Sequence, residues 1–302
     1  MPKNRPKKPV WRKRYIFIPF VLLLASFLVA FIFLQSEEKL YDDLASLPYA
    51  DYEYNSTTPH AVYEQNNQIL GIQEGLNLPI IMYHYIDYAS NLEEGERRLS
   101  VAPSTLEAAI RQLQQDKVSF HYVRDIPQLM KQKNPGKVVF LTFDDGYDDF
   151  YTQVLPILKK YRVKATLYVI NNYIGRKGFL NRQQLNTIIE SGLVEVGAHT
   201  LDHSYLKTLS KKAALEEILA SKQGLERELG VEVQTFAYPF GAYSADTVEL
   251  VKQASFSAAV SVDPGIYQTK NDLFTLKRIR AGAFVGGTIE KVINGTYRPA
   301  TR

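Results

Sequence analysis

Hydrophobic and polar positions along this chain predict repeated strands and helices. Seven apolar runs rich in β-branched and aromatic residues have the length of strands: 79–83, 137–143, 164–170, 194–198, 233–238, 257–262 and 274–279. Between most of these runs the apolar residues recur three and four positions apart, which is typical of helices. A repeated strand and helix implies a parallel sheet. We therefore predict an α/β fold in which about seven strands form a closed or nearly closed barrel.

Capping residues indicate where some of the helices begin and end. Ser104 and Glu107 have the spacing of a capping box and precede an apolar helical pattern. Ser244 is suited to cap a later helix, and Gly230 follows a leucine-rich helical pattern over 211–229. These signals predict helices in the intervals between the predicted strands.

The N-terminal part has a different pattern. Residues 1–14 carry seven Lys and Arg residues and no acid, and residues 15–34 form an uncharged run that is long enough to cross a bilayer as a helix. The cations before this run, with Glu37 and Glu38 after it, predict that the N-terminus lies inside the cell. An uncleaved anchor is favoured over a signal peptide because Phe31–Ser36 does not form a small-residue cleavage site.

The chain is therefore expected to have four parts: a basic cytoplasmic tail (1–14), a transmembrane anchor (15–34), a polar extracellular stalk (35–70) and one extracellular domain (71–302). The net charge of +4 becomes −3 when the seven tail cations are removed, so no nucleic-acid partner is expected. The chain has no cysteine, which excludes disulfides, thiolate metal ligands and a cysteine nucleophile. We expect a single-pass protein of the cell membrane.

Candidate chemistry lies where four of the predicted strands end. The residues at these positions are His84, Asp144, Asp145, His199, His203 and Phe240. Because α/β barrels build their active sites at the C-terminal ends of their strands, closure of the barrel would bring these residues together. Two histidines and a carboxylate can hold a metal ion with open positions, and a second carboxylate can take a proton from water. Metal-assisted hydrolysis is therefore the leading hypothesis.

Three segments, in this order, resemble the first three motifs of the polysaccharide deacetylases of carbohydrate esterase family 4, the NodB homology domain. They are Thr142–Gly146 (TFDDG), His199–His203 (HTLDH) and Phe236–Gly241 (FAYPFG). The resemblance covers roughly 78–283. It implies a distorted (β/α) barrel, in agreement with the strand pattern.

The resemblance implies that Asp145, His199 and His203 are metal ligands and that Asp144 is the general base. Zn²⁺ suits two imidazoles and a carboxylate, and Co²⁺, Ni²⁺, Mn²⁺ or Fe²⁺ would also fit. Structural roles are the alternatives. Histidines four positions apart also occur on helix faces, and an aspartate before Gly146 commonly caps a turn.

The candidate general acid lies before the other motifs, which differs from the usual order in the family. The common pattern places this histidine in a Leu-x-His motif after the third motif, but no histidine follows His203 here. His84, in Met82-x-His84 at the end of a predicted strand, resembles the permuted branch that includes the poly-N-acetylglucosamine deacetylases. We therefore predict His84 as the acid, with a structural histidine as the alternative. His60 falls in the stalk, and His121 has no turn beside it.

Phe240 resembles the aromatic residue whose backbone N–H binds the oxyanion in the family. The usual arginine of this motif is Ala237 here, and Arg278 or Arg280 is the candidate to replace it, with a surface arginine as the equal alternative. The usual fourth motif is not found. Three tyrosines near the motifs are candidates to stack on sugar rings, although packing would explain most tyrosines: Tyr147, Tyr238 and Tyr243.

Together these residues predict a metal-dependent enzyme that removes N-acetyl groups from amino sugars of a cell-wall or cell-surface polysaccharide, releasing acetate and leaving a free amine. Peptidoglycan, poly-N-acetylglucosamine and the sugar that links a wall polysaccharide to peptidoglycan all stay open as substrates. A catalytically inactive carbohydrate-binding wall protein and a non-haem iron oxygenase are the alternatives. The oxygenase is disfavoured because it has no use for Asp144.

Overall fold

Parallel strands form a closed barrel in this protein. The structure is a computed structural model that describes residues 75–88, 93, 98–132, 134–281 and 291–292. Within this part of the chain, seven strands form the barrel: β2 (Ile80–Tyr83), β4 (Val138–Phe143), β5 (Ala165–Val169), β6 (Val194–Ala198), β7 (Thr235–Ala237), β8 (Ala258–Pro264) and β10 (Leu276–Arg280). Each barrel strand overlaps one of the seven predicted runs, so the α/β barrel expected from the pattern is confirmed.

Strand pairing shows how the ring closes. β2 pairs with β10 on one side and with β4 on the other, and the order continues through β5, β6, β7 and β8 back to β10. The pairs are parallel, with Ile80 opposite Phe140 and Ala165 opposite Val194. The register between β8 and β10 shifts between Leu276 and Arg278, which distorts the barrel locally. The C-terminal ends of the strands lie at the same end of the barrel.

Three further strands were not predicted from the sequence. β3 (Ser119–His121) pairs with the first half of β4, and β1 (Gly75–Asn77) forms a small antiparallel sheet with β9 (Tyr267–Thr269). Each has three residues, which is too short to show a period of two.

The helices lie between the strands: α1 (Pro103–Gln115), α2 (Ile126–Leu129), α3 (Leu155–Tyr161), α4 (Arg182–Glu190), α5 (Lys211–Leu229) and α6 (Ala245–Gln253). The longest, α5, has the predicted bounds. The hydroxyl of Ser210 accepts a hydrogen bond from the backbone N–H of Ala213, and Gly230 ends the helix with a φ of 66°. Ser244 caps α6 as predicted, accepting a hydrogen bond from the N–H of Thr247.

The capping box predicted for Ser104 and Glu107 is wrong. Helix α1 begins at Pro103, and Ala102 is its N-cap without a side-chain hydrogen bond. Proline suits the first turn because the N–H that it lacks would have no helical partner there. The Glu107 carboxylate instead accepts hydrogen bonds from Lys160 and Tyr161 on α3.

A buried apolar cluster joins strands from around the ring. Its members on β2, β4, β5, β7, β8 and β10 are Ile80, Val138, Phe140, Tyr168, Ala237, Ala258, Val260 and Leu276. Val123, Ile126 and Leu129, from the segment between β3 and β4, pack against the same cluster. This segment covers the end of the barrel opposite the loops that carry the candidate site.

The predicted tail (1–14), anchor (15–34) and stalk (35–70) lie outside the described residues. Within the described ranges, the structure contains no helix that combines the length and the apolar character needed to span a membrane.

Candidate active site

The six predicted site residues meet at the C-terminal end of the barrel. Asp144 and Asp145 directly follow β4, and His199 directly follows β6. His203 lies four residues further in the loop after β6. His84 follows β2, and Phe240 lies in the single turn of 3₁₀-helix Pro239–Gly241 after β7. The closed ring thus brings together residues that are more than 150 positions apart in the sequence.

Asp145, His199 and His203 form a compact group that could hold a metal ion. One ligand atom from each residue lies within 4.8 Å of the others. Asp145 Oδ1 is 3.2 Å from His199 Nε2 and 3.3 Å from His203 Nε2. Asp145 and His199 are buried, whereas His203 is partly exposed.

The hydrogen bonding of His199 is compatible with a cation in this group. His199 Nδ1 lies 2.8 Å from the carbonyl oxygen of Ala237, and because a carbonyl only accepts, Nδ1 carries the proton. In the neutral ring Nε2 then presents a lone pair to Asp145 Oδ1, which is buried and has no hydrogen-bond partner among the described residues. A metal ion among these atoms would satisfy the buried Asp145 oxygen and both imidazole nitrogens at once, and the ligand types suit a divalent metal.

Strained backbone conformations are concentrated at the site. Four of the seven non-glycine residues with positive φ in the described ranges lie here: Asp145 (75°), Thr200 (63°), His203 (58°) and Phe240 (59°). Each costs on the order of 1–3 kcal/mol and persists only where the surroundings enforce it. Around His203, the Glu217 carboxylate on α5 accepts hydrogen bonds from the N–H groups of Leu201 and Asp202 and fixes the loop.

Asp144 has a different partner from its neighbour Asp145. The Arg278 guanidinium on β10 donates two hydrogen bonds to the Asp144 carboxylate, at 2.8 and 2.7 Å, and both side chains are buried. Burial alone would raise the pKa of Asp144, but the charge and hydrogen bonds of Arg278 outweigh it and lower the pKa. Asp144 is therefore held as an ionised carboxylate although its side chain is buried.

Two further hydrogen bonds fix Arg278. Its Nε donates to the carbonyl oxygen of Ser261 at 2.7 Å, and Nη1 donates to the hydroxyl of Thr142 at 3.1 Å. Of the two arginines considered as replacements for the usual arginine at Ala237, Arg278 contacts Asp144, whereas Arg280 is exposed. Thr142 was noted only as the first residue of the TFDDG motif. Ser261 and Glu217 were not singled out from the sequence, because nothing in their local pattern distinguishes them from ordinary strand and helix residues.

His84 lies beside the two carboxylates. Its Nε2 is 3.9 Å from Asp144 Oδ2, and the ring is partly exposed. Burial lowers the pKa of His84, while the charges of Asp144 and Asp145 act in the opposite direction. The loop that carries it is held at Ile86, whose N–H donates to Asp149 Oδ2 at 2.7 Å. His121, by contrast, lies in β3 and is 3.6 Å from Asp125, in the segment that covers the other end of the barrel.

Phe240 contributes to the rim of the site. Its ring centroid lies 4.4 Å from that of His203, and the side chain is 60% exposed. The described residues provide no hydrogen-bond acceptor for its backbone N–H. Gly241, which follows, has a φ of 66° and passes so close to Val262 that a Cβ would lie 2.2 Å from a methyl carbon. The turn is therefore tightly constrained.

Comparison with known proteins agrees with this geometry. A polysaccharide deacetylase family model matches residues 131–259, a range that contains Asp144 and all three residues of the metal-ligand group. These residues form a polysaccharide deacetylase domain. Members of this family are hydrolases, and the deacetylase barrel of this chain is consistent with hydrolysis of amides.

Two relatives are similar to this deacetylase over most of their length. YxkH of Bacillus subtilis, named as a presumed polysaccharide deacetylase, is 29% identical over 213 residues, which cover 70% of this chain and 74% of YxkH. The poly-β-1,6-N-acetyl-D-glucosamine N-deacetylase of Staphylococcus aureus is 24% identical over 231 residues, covering 72% of this chain and 79% of that protein.

A solved structure is also similar to the deacetylase. The Streptococcus pyogenes deacetylase PplD, in complex with acetate, superimposes with a TM-score of 0.63 at 28% identity. The match covers 68% of this chain and 92% of PplD. The likeness therefore extends over most of both chains.

Proposed function

We propose that this deacetylase hydrolyses the N-acetyl group of amino sugars, of the N-acetylglucosamine type, in a cell-surface or cell-wall polysaccharide. The proposal rests on one observation, which is that two adjacent carboxylates have different partners. Asp145 faces two imidazole nitrogens, whereas Asp144 is held ionised by Arg278. Acetate and a free amine would be the products. The substrate of the S. aureus relative and the acetate in PplD support this class of reaction.

Asp145, His199 and His203 would hold one divalent metal, for which Zn²⁺ is our first choice and Co²⁺, Ni²⁺, Mn²⁺ or Fe²⁺ are alternatives. Such an ion, when bound, polarises a carbonyl and makes water a stronger nucleophile at neutral pH. The His199 hydrogen bond to Ala237 supports this role, because it orients the ring and leaves Nε2 free to coordinate.

Asp144 would act as the general base and accept the proton of the attacking water. The paired Arg278 keeps Asp144 ionised, and therefore able to accept a proton, near neutral pH. The backbone N–H of Phe240 would donate a hydrogen bond to the carbonyl oxygen as negative charge develops on it. His84, on the other side of Asp144, would donate a proton to the leaving amine.

We further propose that residues 15–34 anchor the protein in the cell membrane, with residues 1–14 inside and the deacetylase domain outside. The support is the length of the apolar run and the seven cations before it. This orientation would give the domain access to a polysaccharide of the cell surface.

An inactive wall-binding protein is the second possible function. The presence of Asp144, Arg278 and His84 together argues against it.

The experiment that tests the proposed function is acetate release from N-acetylated polysaccharide, measured with metal content before and after chelation. We expect about one metal ion per chain, loss of activity on chelation and its return with Zn²⁺ or Co²⁺. Full metal content in the His199→Ala, His203→Ala double variant would overturn the ligand assignment. Metal binding without acetate release from any of the three candidate polymers would favour the inactive binding protein.

A further inference from the structure

Two exposed aromatic rings lie beside the metal-ligand group. Phe240 is 60% exposed and Tyr205 is 48% exposed. The centroid of the Phe240 ring is 4.4 Å from that of His203, and the Tyr205 ring lies 5.9 Å beyond Phe240. Tyr205 and Phe240, which we call the aromatic ledge, therefore form a continuous surface that leads from the candidate metal ligand toward solvent.

The local fold does not depend on the ring of Tyr205. The carbonyl oxygen of this residue accepts hydrogen bonds from the N–H and the hydroxyl of Thr208, which closes the turn through the backbone. The Tyr205 side chain makes no capping hydrogen bond to the 3₁₀-helix Leu206–Thr208 that follows it. Two exposed rings that lie 5.9 Å apart beside a candidate active site form an apolar patch, and such patches occur in ligand-binding grooves.

The tyrosines that the sequence suggested for sugar stacking have structural partners instead. Tyr238 is fully buried, and the hydroxyl of Tyr243 donates to Asp263 Oδ2 at 2.5 Å. Tyr147 stacks on Tyr85 with 3.8 Å between ring centroids. The ledge differs from all three because the rings of both its members are largely open to solvent.

We propose that Tyr205 is the stacking residue of a second sugar subsite, next to the unit that loses its acetyl group. The inference rests on the proposed function, because the ledge starts at His203 and Phe240. A pyranose ring has an apolar C–H face and polar edges, and a tyrosine ring can cover the former while its hydroxyl stays wet. The ligand of this subsite is thus a neighbouring pyranose unit of an N-acetylated amino-sugar chain, and the enzyme favours oligomers over single sugars.

The test is calorimetric binding of an N-acetylglucosamine pentamer to zinc-loaded full-length protein carrying Asp144→Asn, which separates binding from turnover. Adding Tyr205→Ala should weaken binding roughly tenfold, which corresponds to about 1.4 kcal/mol. Tyr205→Phe keeps the ring and should bind within about twofold of the parent, because the ring is the contact. In the otherwise native enzyme, Tyr205→Ala should raise KM for the pentamer much more than it lowers kcat.

Leu209→Ala is the matched control, since Leu209 is an exposed apolar residue of the same loop, 37% accessible. It should leave pentamer binding unchanged. Equal binding with and without the Tyr205 ring, an equal loss in Leu209→Ala, or no binding when Tyr205 is intact would each overturn the subsite. Failure of the proposed function is a separate result, because it would appear as absent acetate release by the native enzyme whatever the pentamer affinities are.

Discussion

At the scale of single residues, the site depends on how two adjacent aspartates are surrounded. Asp144 lies in a buried bidentate pair with Arg278, and Asp145 faces two histidine nitrogens. The sequence motif identifies both aspartates, but it leaves Arg278 and Arg280 equivalent, because residues two apart on a strand point to the same face. The position along β10 decides between them. Arg278 reaches the Asp144 carboxylate inside the barrel, while Arg280 ends the strand and is exposed.

Arg278→Gln should therefore destabilise the domain by about 3–5 kcal/mol, because Asp144 is left as a buried charge without its partner. Urea unfolding monitored by circular dichroism measures this. Arg280→Gln is the control on the same strand and should change stability by less than about 0.5 kcal/mol. Restoring most of the loss with Asp144→Asn would support the pairing. Equal stabilities of the Arg278 and Arg280 variants would contradict it.

The same pair predicts a pH dependence. The pKa of Asp144 is lowered in the folded state from the ordinary value of 3.8. Its contribution to stability is therefore fully present above that value and is lost as the pH falls through the lower folded pKa. Unfolding midpoints of native and Arg278→Gln proteins should converge as the pH falls below about 4. A stability gap that stays constant between pH 7 and pH 3 would contradict this.

His84→Ala should keep the metal but lose on the order of 10²–10⁴ in rate on N-acetyl sugars, because the leaving amine then lacks its proton donor. On an activated aryl acetate, whose leaving group needs no proton, the variant should retain much more of its activity. His121→Ala is the control, since this histidine lies in β3 beside Asp125. An equal fall on both substrates, or the same split in His121→Ala, would show that His84 is not the acid.

At the scale of elements, the end of the barrel opposite the site is closed by a polar contact that the sequence did not reveal. Glu195 on β6 is buried, and its carboxylate accepts hydrogen bonds from the hydroxyl of Thr166 on β5 and from the N–H of Arg124. The run 194–198 was predicted as a buried strand from its valines, and its one acid gave no signal of a partner. Arg124, one of the two donors, lies in the short segment after β3, which has too few residues to show a pattern.

Burial raises the pKa of Glu195 to about 7. Because the folded state then keeps a proton that the unfolded state releases above the ordinary value of 4.5, this group makes the protein less stable as the pH rises from about 4.5 to 7. Glu195→Gln should flatten that decline, as seen by urea unfolding at pH 5 and pH 8. Part of the decline will stay, since burial also raises the pKa of Asp149 to about 7. An unchanged slope in Glu195→Gln would mean that Glu195 is ionised in the folded protein.

At the scale of the whole molecule, barrel closure is what turns separate motifs into one site. All seven barrel strands could be predicted, because strands of a parallel sheet are covered on both faces and most of them are rich in apolar residues. The four loops converge because the barrel closes, and no local sequence pattern shows that closure. The exposed ring of Tyr205 was missed for the same reason. Its position beside Phe240 depends on how the β6 and β7 loops pack together, and a tyrosine in a polar loop has no distinctive sequence context.

The predicted anchor is tested on intact cells whose wall has been removed. Added protease should release the domain that follows Leu34, while an epitope placed at the N-terminus stays protected, because the seven cations of 1–14 orient the tail inward. Replacing those cations by neutral residues is the control and should weaken the orientation. A domain that resists protease in intact cells but is cut after lysis would contradict an outward orientation and with it a surface polysaccharide as substrate.

The most direct test of metal-dependent deacetylation by these residues is acetate release by Asp144→Asn, measured together with its metal content. The asparagine has nearly the shape of the aspartate but cannot accept the proton, while Asp145, His199 and His203 are untouched. We predict about one metal ion per chain, as in the native enzyme, with a fall in kcat of at least about 100-fold. Acetate release at the native rate by the metal-loaded variant would contradict the role of Asp144 as the base.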